Sequence, residues 1–214
     1  MAHIIGLVQV KGGAGRSTVA TNLAGELARV GRTLLVDCDM PQGTSASWAA
    51  IRKDAKPSSR LLADTASKHT ELVELVEKMR DEVDYIVLDG PPRIAEIART
   101  ILLLADINLV PVGASAAEIW ATSDMVTLIN EAKKVRPVDA RLVWTRFRSY
   151  TRLAQELAEQ ATKALQLPIL KSVLGYRVAY AEALGMGLTA AELQDTNARQ
   201  EVVRLAVEIK RILK

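Results

Sequence analysis

The sequence contains little of what disulfides and metal clusters need, since it has one cysteine, Cys38, and two histidines. One cysteine cannot form a disulfide within the chain, and a cysteine-ligated iron–sulfur site would require thiolates from partner chains. His3 and His69 are far apart in the sequence, so no metal-binding spacing links them. We therefore expect a protein of the reducing cytosol without a thiolate or imidazole metal site.

Long apolar segments are also missing. No uncharged run approaches the ~20 residues that a membrane-spanning helix needs, and the N-terminus lacks the basic and apolar regions of a signal peptide. The chain has 214 residues, of which 49% are hydrophobic, and it shows no repeat or low-complexity stretch. We expect one α/β domain that covers residues 1–214, a cytoplasmic location and no membrane partner.

The net charge of +3 is small, but the cations are clustered. Residues 132–152 carry seven Lys and Arg against Asp139, a formal charge of +6, and residues 199–214 carry a formal +3. Clusters of this kind are typical either of a surface for a polyanion or of solvated helix faces. Nucleic acid is therefore a candidate partner.

Short β-branched runs alternate with helical patterns along the chain, which predicts a doubly wound, mostly parallel sheet flanked by helices. Predicted strands cover 3–10, 33–37, 85–89, 107–112, 141–144 and 169–170, and a further short strand or turn is predicted near Leu61. Predicted helices cover 17–30, 45–51, 68–80, 94–104, 115–135, 151–165, 176–184 and 197–213.

Trp48, Trp120 and Trp144 all fall within predicted helices or strands. A tryptophan in such a position more often belongs to the core than to a partner-facing surface. We expect these three side chains to be buried.

The segment 6–18 joins an apolar strand to a helix through a glycine turn. Gly12, Gly13 and Gly15 allow the backbone to approach an anion closely, and the following helix presents its positive end. This arrangement predicts a phosphate site. The ordinary pattern G-x-x-x-x-G-K-[ST] is broken twice, by Val10 at the first glycine and by Arg16 at the lysine, while Lys11 supplies a second cation.

Two predicted strands end in aspartate, where the ligands of a parallel sheet bind. Asp37 ends the second strand and Asp39 comes two residues later, and Asp89 ends an apolar strand in the pattern of a Walker B motif. Carboxylates at this edge are suited to Mg²⁺, although aspartates also serve as turn and helix-cap acceptors.

These motifs resemble the ParA/MinD family of P-loop ATPases, whose deviant Walker A motif is K-G-G-x-G-K-[ST], and in particular its small ParA-type members. The resemblance covers essentially the whole chain and implies a P-loop NTPase fold that uses ATP/ADP and Mg²⁺. In this family the residue matching Lys11 reaches the phosphates of a dimer partner, and the residue matching Arg16 holds the phosphates in cis. The nucleotide-binding positions implied are Gly12, Gly13, Ala14, Gly15, Arg16, Ser17 and Thr18.

The resemblance also implies a metal and catalytic set. Ser17, Asp37 and Asp89 would hold Mg²⁺ directly or through water, and Asp39 would orient the attacking water, so the catalytic residues implied are Lys11, Arg16 and Asp39. The family motif D-x-D-P-Q is interrupted here by Met40, which stands before Pro41.

Looser matches concern the base and DNA. Thr145 and Arg146 fall where the family has an adenine-binding strand end. Arg177 matches a late basic residue for DNA, and Arg204 and Arg211, seven residues apart, share a face of the last helix.

The function implied is a ParA-type ATPase that dimerises on ATP, binds DNA nonspecifically on the nucleoid, and positions plasmid, chromosome or protein cargo with a ParB-like or other small adaptor. Three alternatives stay open. Arg16 favours a hydrolysis-poor, nucleotide-dependent switch, the basic last helix suits a MinD-like ATPase on a membrane surface, and the shared architecture allows a metabolic enzyme.

Overall fold

The computed structural model describes residues 1–93, 95–148 and 152–214, in which seven strands form one sheet. The strands are β1 (His3–Leu7), β2 (Thr33–Asp37), β3 (Leu61–Thr65), β4 (Tyr85–Asp89), β5 (Ile107–Gly113), β6 (Ala140–Phe147) and β7 (Ile169–Gly175). Their order is β3-β2-β4-β1-β5-β6-β7, and each pair is parallel. The predicted α/β class is confirmed.

Helices connect successive strands and cover both faces of the sheet. They are α1 (Arg16–Leu27), α2 (Thr44–Ala55), α3 (His69–Met79), α4 (Ala95–Leu104), α5 (Ala116–Trp120), α6 (Ser123–Lys133), α7 (Arg152–Leu165), α8 (Val178–Gly185) and α9 (Thr196–Ile212), with a 3-10 turn over Ala190–Glu192. The predicted starts of two helices, residues 94 and 151, lie outside the described residues. In the described part of the chain, no helix combines the length and apolar character needed to cross a membrane.

The central strands are apolar on both faces because a separate core packs on each side. On one face Ile86 and Leu88 of β4 pack with residues of α3, α4 and α6, such as Leu72 and Ile101. On the other face Val87 packs with residues of α1, α2, α8 and α9. This double burial explains why β2 and β4 read as continuous apolar runs and not as an alternating pattern.

Several predicted boundaries were wrong. β1 ends at Leu7 and not at residue 10, and residues 8–10 lead from the strand into the glycine loop. β6 and β7 extend to Phe147 and Gly175, beyond the predicted ends.

The predicted helix over 115–135 is two helices, α5 and α6. The break lies at Thr122, whose fully buried hydroxyl donates to the carbonyl of Glu118 and accepts from Gln9 Nε2 at 3.1 Å. This tertiary hydrogen bond has no counterpart in the local sequence pattern.

The prediction of three buried tryptophans was correct for two. Trp48 and Trp144 are buried, at 1% and 3% exposed. Trp120 is the last residue of α5 and is 71% exposed, whereas its neighbour Ile119 is the residue of this helix that is buried in the core.

The strand order places the predicted site at one edge of the sheet. Asp37 and Asp89 are register partners at the carboxyl ends of β2 and β4, and Leu7 of β1 is the register partner of Asp89 on the other side. The chain therefore enters the glycine loop directly beside the two aspartates, at the carboxyl edge where parallel sheets bind ligands.

Candidate functional site

The glycine loop is an open turn that ends at the first residue of α1. Gly13 and Gly15 have φ angles of +73° and +97°, which side-chain-bearing residues rarely adopt. A Cβ at Gly12 or Gly13 would meet nothing within 4 Å, so these two backbone units face open space. α1 has no side-chain N-cap and no acidic residue in its first turn, which leaves its N–H groups available to an anion.

Arg16 points beneath this loop and is only 6% exposed. Its Nε donates to the carbonyl of Gly90 at 2.7 Å, and its Nη1 donates to the carbonyls of Gln9 and Lys11. Burial lowers the pKa of its guanidinium. Three of the five N–H donors are thus bonded to backbone carbonyls, and Nη2 alone is left for another partner, 3.9 Å from Asp39 Oδ2.

Asp37 is buried and acts as a double acceptor. Its Oδ1 accepts from the backbone N–H of Asp39 and its Oδ2 from that of Ala46, both at 2.9 Å. The carboxylate therefore fixes the start of the 38–43 loop and the first turn of α2.

Asp89 is the most buried carboxylate of the site, with 0% exposure. Burial raises its pKa to about 6, although hydrogen bonds from the hydroxyls of Ser45 and Ser17 act in the opposite direction. Ser45 Oγ lies 2.6 Å from Asp89 Oδ2, whereas Asp89 Oδ1 has no hydrogen-bond partner among the described residues. An unpaired buried carboxylate oxygen beside a serine hydroxyl fits a hard cation such as Mg²⁺.

Asp39 lies further out, on the loop that contains Met40. Burial raises the pKa of its carboxyl group, while the nearby charge of Arg16 lowers it. No group of three or more His, Cys, Asp or Glu in the described chain forms a metal site by itself. A cation here would therefore need oxygens from phosphate and water in addition.

Lys11 and Arg146 share one carboxylate, that of Glu118. Lys11 Nζ lies 2.6 Å and Arg146 Nη2 lies 3.4 Å from Glu118 Oε1. Sequence reasoning missed Glu118, which lies in the first turn of α5, because its contacts with Lys11 and Arg146 are tertiary ones. The available signal was an acidic residue just after a strand that ends at the same edge as the loop.

A cavity of about 420 Å³ adjoins the loop on the side of β6, β7 and α8. The predicted Thr145 and Arg146 line it, but the Thr145 hydroxyl donates to the carbonyl of Ala14 at 2.8 Å and so braces the loop. Three residues that sequence reasoning missed also line it: Tyr176, Val178 and Tyr180. The mixed aromatic and aliphatic wall is suited to a flat, partly apolar group.

The predicted DNA-binding arginines differ in their surroundings. Arg177 donates to Glu201 Oε1 through Nε and Nη2, so its charge is compensated. Arg204 is exposed and contacts Gln200, and Arg211 is exposed near the end of α9. Arg177 and Arg204 line one depression between β7 and α9.

The cluster predicted from residues 132–152 is not one surface. Lys133 and Lys134 lie at the end of α6, before β6 begins, whereas Arg146 and Arg148 lie at the carboxyl end of β6. The eight residues of this strand separate the two groups by about 25 Å. Of the remaining members, Arg141 pairs with Asp139, and the side chain of Arg152 lies outside the described residues.

Comparison with known proteins agrees with this geometry. The family model described as the CobQ/CobB/MinD/ParA nucleotide binding domain matches residues 5–190. The chain is 28% identical over 213 residues to maintenance of carboxysome distribution protein A of Halothiobacillus neapolitanus, covering 97% of this chain and 96% of that protein. It is 30% identical over 236 residues to chromosome-partitioning ATPase Soj of Thermus thermophilus, covering 95% and 93%.

Solved structures share the fold at lower identity. An ATP complex of a McdA variant from Cyanothece superposes with a TM-score of 0.80 at 16% identity, covering 98% of this chain and 96% of that one. MinD of Aquifex aeolicus gives 0.80 at 17% identity, with 98% of both chains covered. The predicted resemblance is confirmed, and the chain belongs to the CobQ/CobB/MinD/ParA family of nucleotide-binding domains, with relatives that are ATPases of the ParA/MinD type.

Proposed function

We propose that this chain is a Mg²⁺-dependent ATPase of the ParA type that dimerises on ATP and uses the dimer to position a cargo on DNA. The observation that carries the proposal is the juxtaposition of the open glycine loop with buried Asp89, whose Oδ1 is unpaired among the described residues. Residues 1–214 would act as one nucleotide-binding domain.

The phosphates of ATP would lie on the backbone of Gly12–Thr18, where the exposed N–H groups and the start of α1 supply positive potential. Ser17, Asp37 and Asp89 would hold Mg²⁺, with Asp37 acting through water because both of its oxygens already accept backbone N–H groups. When bound, the metal would neutralise charge on the phosphates. The base would occupy the cavity next to Thr145 and Arg146.

Asp39 is our candidate for orienting the attacking water. It is the least constrained of the three aspartates, since among the described residues its carboxylate makes one ion pair, with Arg16 at 3.9 Å. Burial raises the pKa of its carboxyl group, which makes the ionised carboxylate a stronger base towards a water molecule.

Nonspecific DNA binding would use Arg204 and Arg211 on the outer face of α9, with Arg177 beside them. The apolar face of α9, which includes Val202, Leu205 and Ile209, is buried against the sheet. This burial supports DNA over a membrane surface as the partner, because a helix lying on lipid needs that apolar face. We place the protein on the nucleoid in the cytoplasm with a ParB-like or other small adaptor.

Two relatives have names that refer to positioning, of carboxysomes in one case and of chromosomes in the other. These names motivate the positioning role proposed here without specifying the cargo of this chain.

The deciding experiment measures phosphate release and binding to random-sequence duplex DNA, each with ATP, with ADP and without nucleotide. We expect slow Mg²⁺-dependent turnover and DNA binding that requires ATP. Asp89→Asn should abolish turnover, whereas Asp54→Asn, an exposed aspartate on α2, should leave it unchanged. DNA binding that is equal with and without ATP would contradict the proposal.

One observation favours a second function, a long-lived nucleotide-dependent switch that hydrolyses ATP poorly. The guanidinium of Arg16 is bonded to three backbone carbonyls, so little of its donor capacity faces the phosphates. Stable ATP-dependent dimers without measurable turnover would identify this switch.

A further inference from the structure

Beside the glycine loop, the carboxylate of Glu118 pairs with two cationic side chains. Its carboxylate is 16% exposed and lies between two cations, Lys11 and Arg146, which are 37% and 45% exposed. A contact of 2.6 Å between Lys11 Nζ and Glu118 Oε1 is a charge-assisted hydrogen bond, and its partial burial reduces screening by solvent.

The position of this carboxylate is fixed by its own helix. The Glu118 backbone N–H donates to Ser115 Oγ at the start of α5, and the Glu118 carbonyl accepts from Thr122 Oγ1 at 2.8 Å. Thr122 in turn accepts from Gln9 Nε2, and Gln9 Oε1 accepts from the backbone N–H of Lys11 at 3.4 Å. The contacts thus close a ring that begins and ends at Lys11.

Gly113 shows how closely the groups of this site approach each other. A Cβ on Gly113 would lie 3.1 Å from both Arg146 Nη2 and Glu118 Cγ, which is tighter than ordinary packing. A side chain on Gly113 would therefore push Arg146 or Glu118 aside by a few tenths of an ångström.

We propose that Glu118 is a positioning residue that holds Lys11 and Arg146 in ion pairs, which the phosphates of a nucleotide must displace before Lys11 can act. The inference deepens the proposed function, on which it rests. The contact at 2.6 Å fixes where the Lys11 ammonium lies, so a phosphate at another position has to compete with Glu118 for it. Glu118 thereby raises the ATP concentration at which the chain dimerises.

Chemical labelling of Lys11 tests the ion pair on the nucleotide-free chain. Amine acylation, followed residue by residue with mass spectrometry, reports how readily the reagent reaches each lysine side chain. Removing the partner carboxylate breaks the contact that holds the Lys11 side chain, so Glu118→Gln should accelerate labelling of Lys11 about three- to tenfold. Glu118→Ala provides a second variant with the same expectation.

The matched control is Glu131→Gln, which removes the carboxylate of an exposed pair with Arg99 on the outer surface of α6. It should leave Lys11 labelling unchanged. Light scattering with a slowly hydrolysed ATP analogue gives the second measurement, in which Glu118→Gln should need several-fold less analogue than the wild type for half-maximal dimer.

The two measurements separate failure of this inference from failure of the proposed function. Equal labelling of Lys11 in the wild type and both Glu118 variants overturns the inference, and so does weaker dimerisation of Glu118→Gln. A wild-type chain that does not dimerise with ATP contradicts the proposed function, while the labelling experiment still tests the ion pair.

Discussion

The guanidinium of Arg16 and the carboxylate of Asp39 lie 3.9 Å apart, although Arg16 begins α1 and Asp39 follows β2 in the sequence. One is the unusual cation of the glycine loop and the other is the candidate for orienting water. Arg16 is therefore linked both to the phosphate site and to the catalytic site that we propose, and replacing it tests both.

Arg16→Lys should raise steady-state ATP turnover about tenfold, because a compact ammonium can follow the charge that develops between the β- and γ-phosphates. It should also lower stability by about 1–3 kcal/mol, since hydrogen bonds to buried carbonyls are lost. Phosphate release and denaturant unfolding measure the two effects. Equal or lower turnover would mean that the loop has adapted to arginine.

Lys11→Ala should abolish ATP-dependent dimerisation if Lys11 reaches the phosphates of the partner. The monomer should stay folded, because Lys11 is partly exposed and Glu118 keeps Arg146 as a neighbour. Light scattering with a slowly hydrolysed ATP analogue reports the dimer directly. An unchanged dimer fraction would show that Lys11 is not needed at the dimer interface.

Replacing both Arg204 and Arg211 with Glu should weaken binding to unrelated duplexes about equally and flatten its salt dependence, because phosphate contacts carry little base information. Nucleotide binding should persist, since both side chains lie on the exposed face of α9. Gel shifts at several salt concentrations decide this. The comparison variant replaces Lys133 and Lys134 with Glu. A larger loss of DNA affinity in this variant would indicate that the DNA-binding surface lies at the end of α6.

Glu192→Gln should destabilise the fold by about 1–3 kcal/mol near neutral pH, because Arg52 is 3% exposed and would lose a two-point contact with Glu192 at 2.8 and 3.2 Å. Burial acts to raise the pKa of Glu192, but hydrogen bonds from Arg52 and Thr189 outweigh it and leave the pKa below its ordinary value. The native state therefore binds fewer protons than the unfolded state.

The stabilisation by Glu192 is consequently present above the ordinary glutamate pKa of about 4.3 and is lost as the pH falls through the lowered value. Denaturant unfolding at about pH 7 and about pH 3.5 should show a gap between wild type and Glu192→Gln that narrows in acid. Glu131→Gln, which breaks an exposed pair, should stay within about 0.5 kcal/mol of the wild type. If the difference in unfolding free energy does not change with pH, the lost stability comes from the packing of the Glu192 side chain and not from its charge.

Much of the site could be predicted because its geometry follows from the order of the strands. An aspartate at the end of an apolar run lies at the carboxyl edge of any parallel sheet, so Asp37 and Asp89 converge even though 52 positions separate them. The glycine loop likewise follows β1, and its positive φ angles agree with the glycines in the sequence.

The remaining features depend on tertiary contacts that the sequence does not display. The predicted single helix is broken at Thr122, where Gln9 donates a buried hydrogen bond, and exposed Trp120 lies just before that break. The cations of residues 132–148 are neighbours in sequence, but β6 carries them to opposite edges of the sheet. The direction of the Arg16 side chain could not be read from a motif in which lysine is usual.

Because of the hydrogen bonds that Arg16 makes, the glycine loop loses its conformational entropy during folding and not during nucleotide binding. A single buried side chain ties together the carbonyls of Gln9 and Lys11, on the loop itself, and that of Gly90 after β4. The loop is thus ordered as the protein folds, and a nucleotide that binds there does not have to supply the roughly 1–2 kcal/mol per residue that ordering a free backbone requires. We therefore expect such a preformed loop to bind nucleotide tightly and to release it slowly.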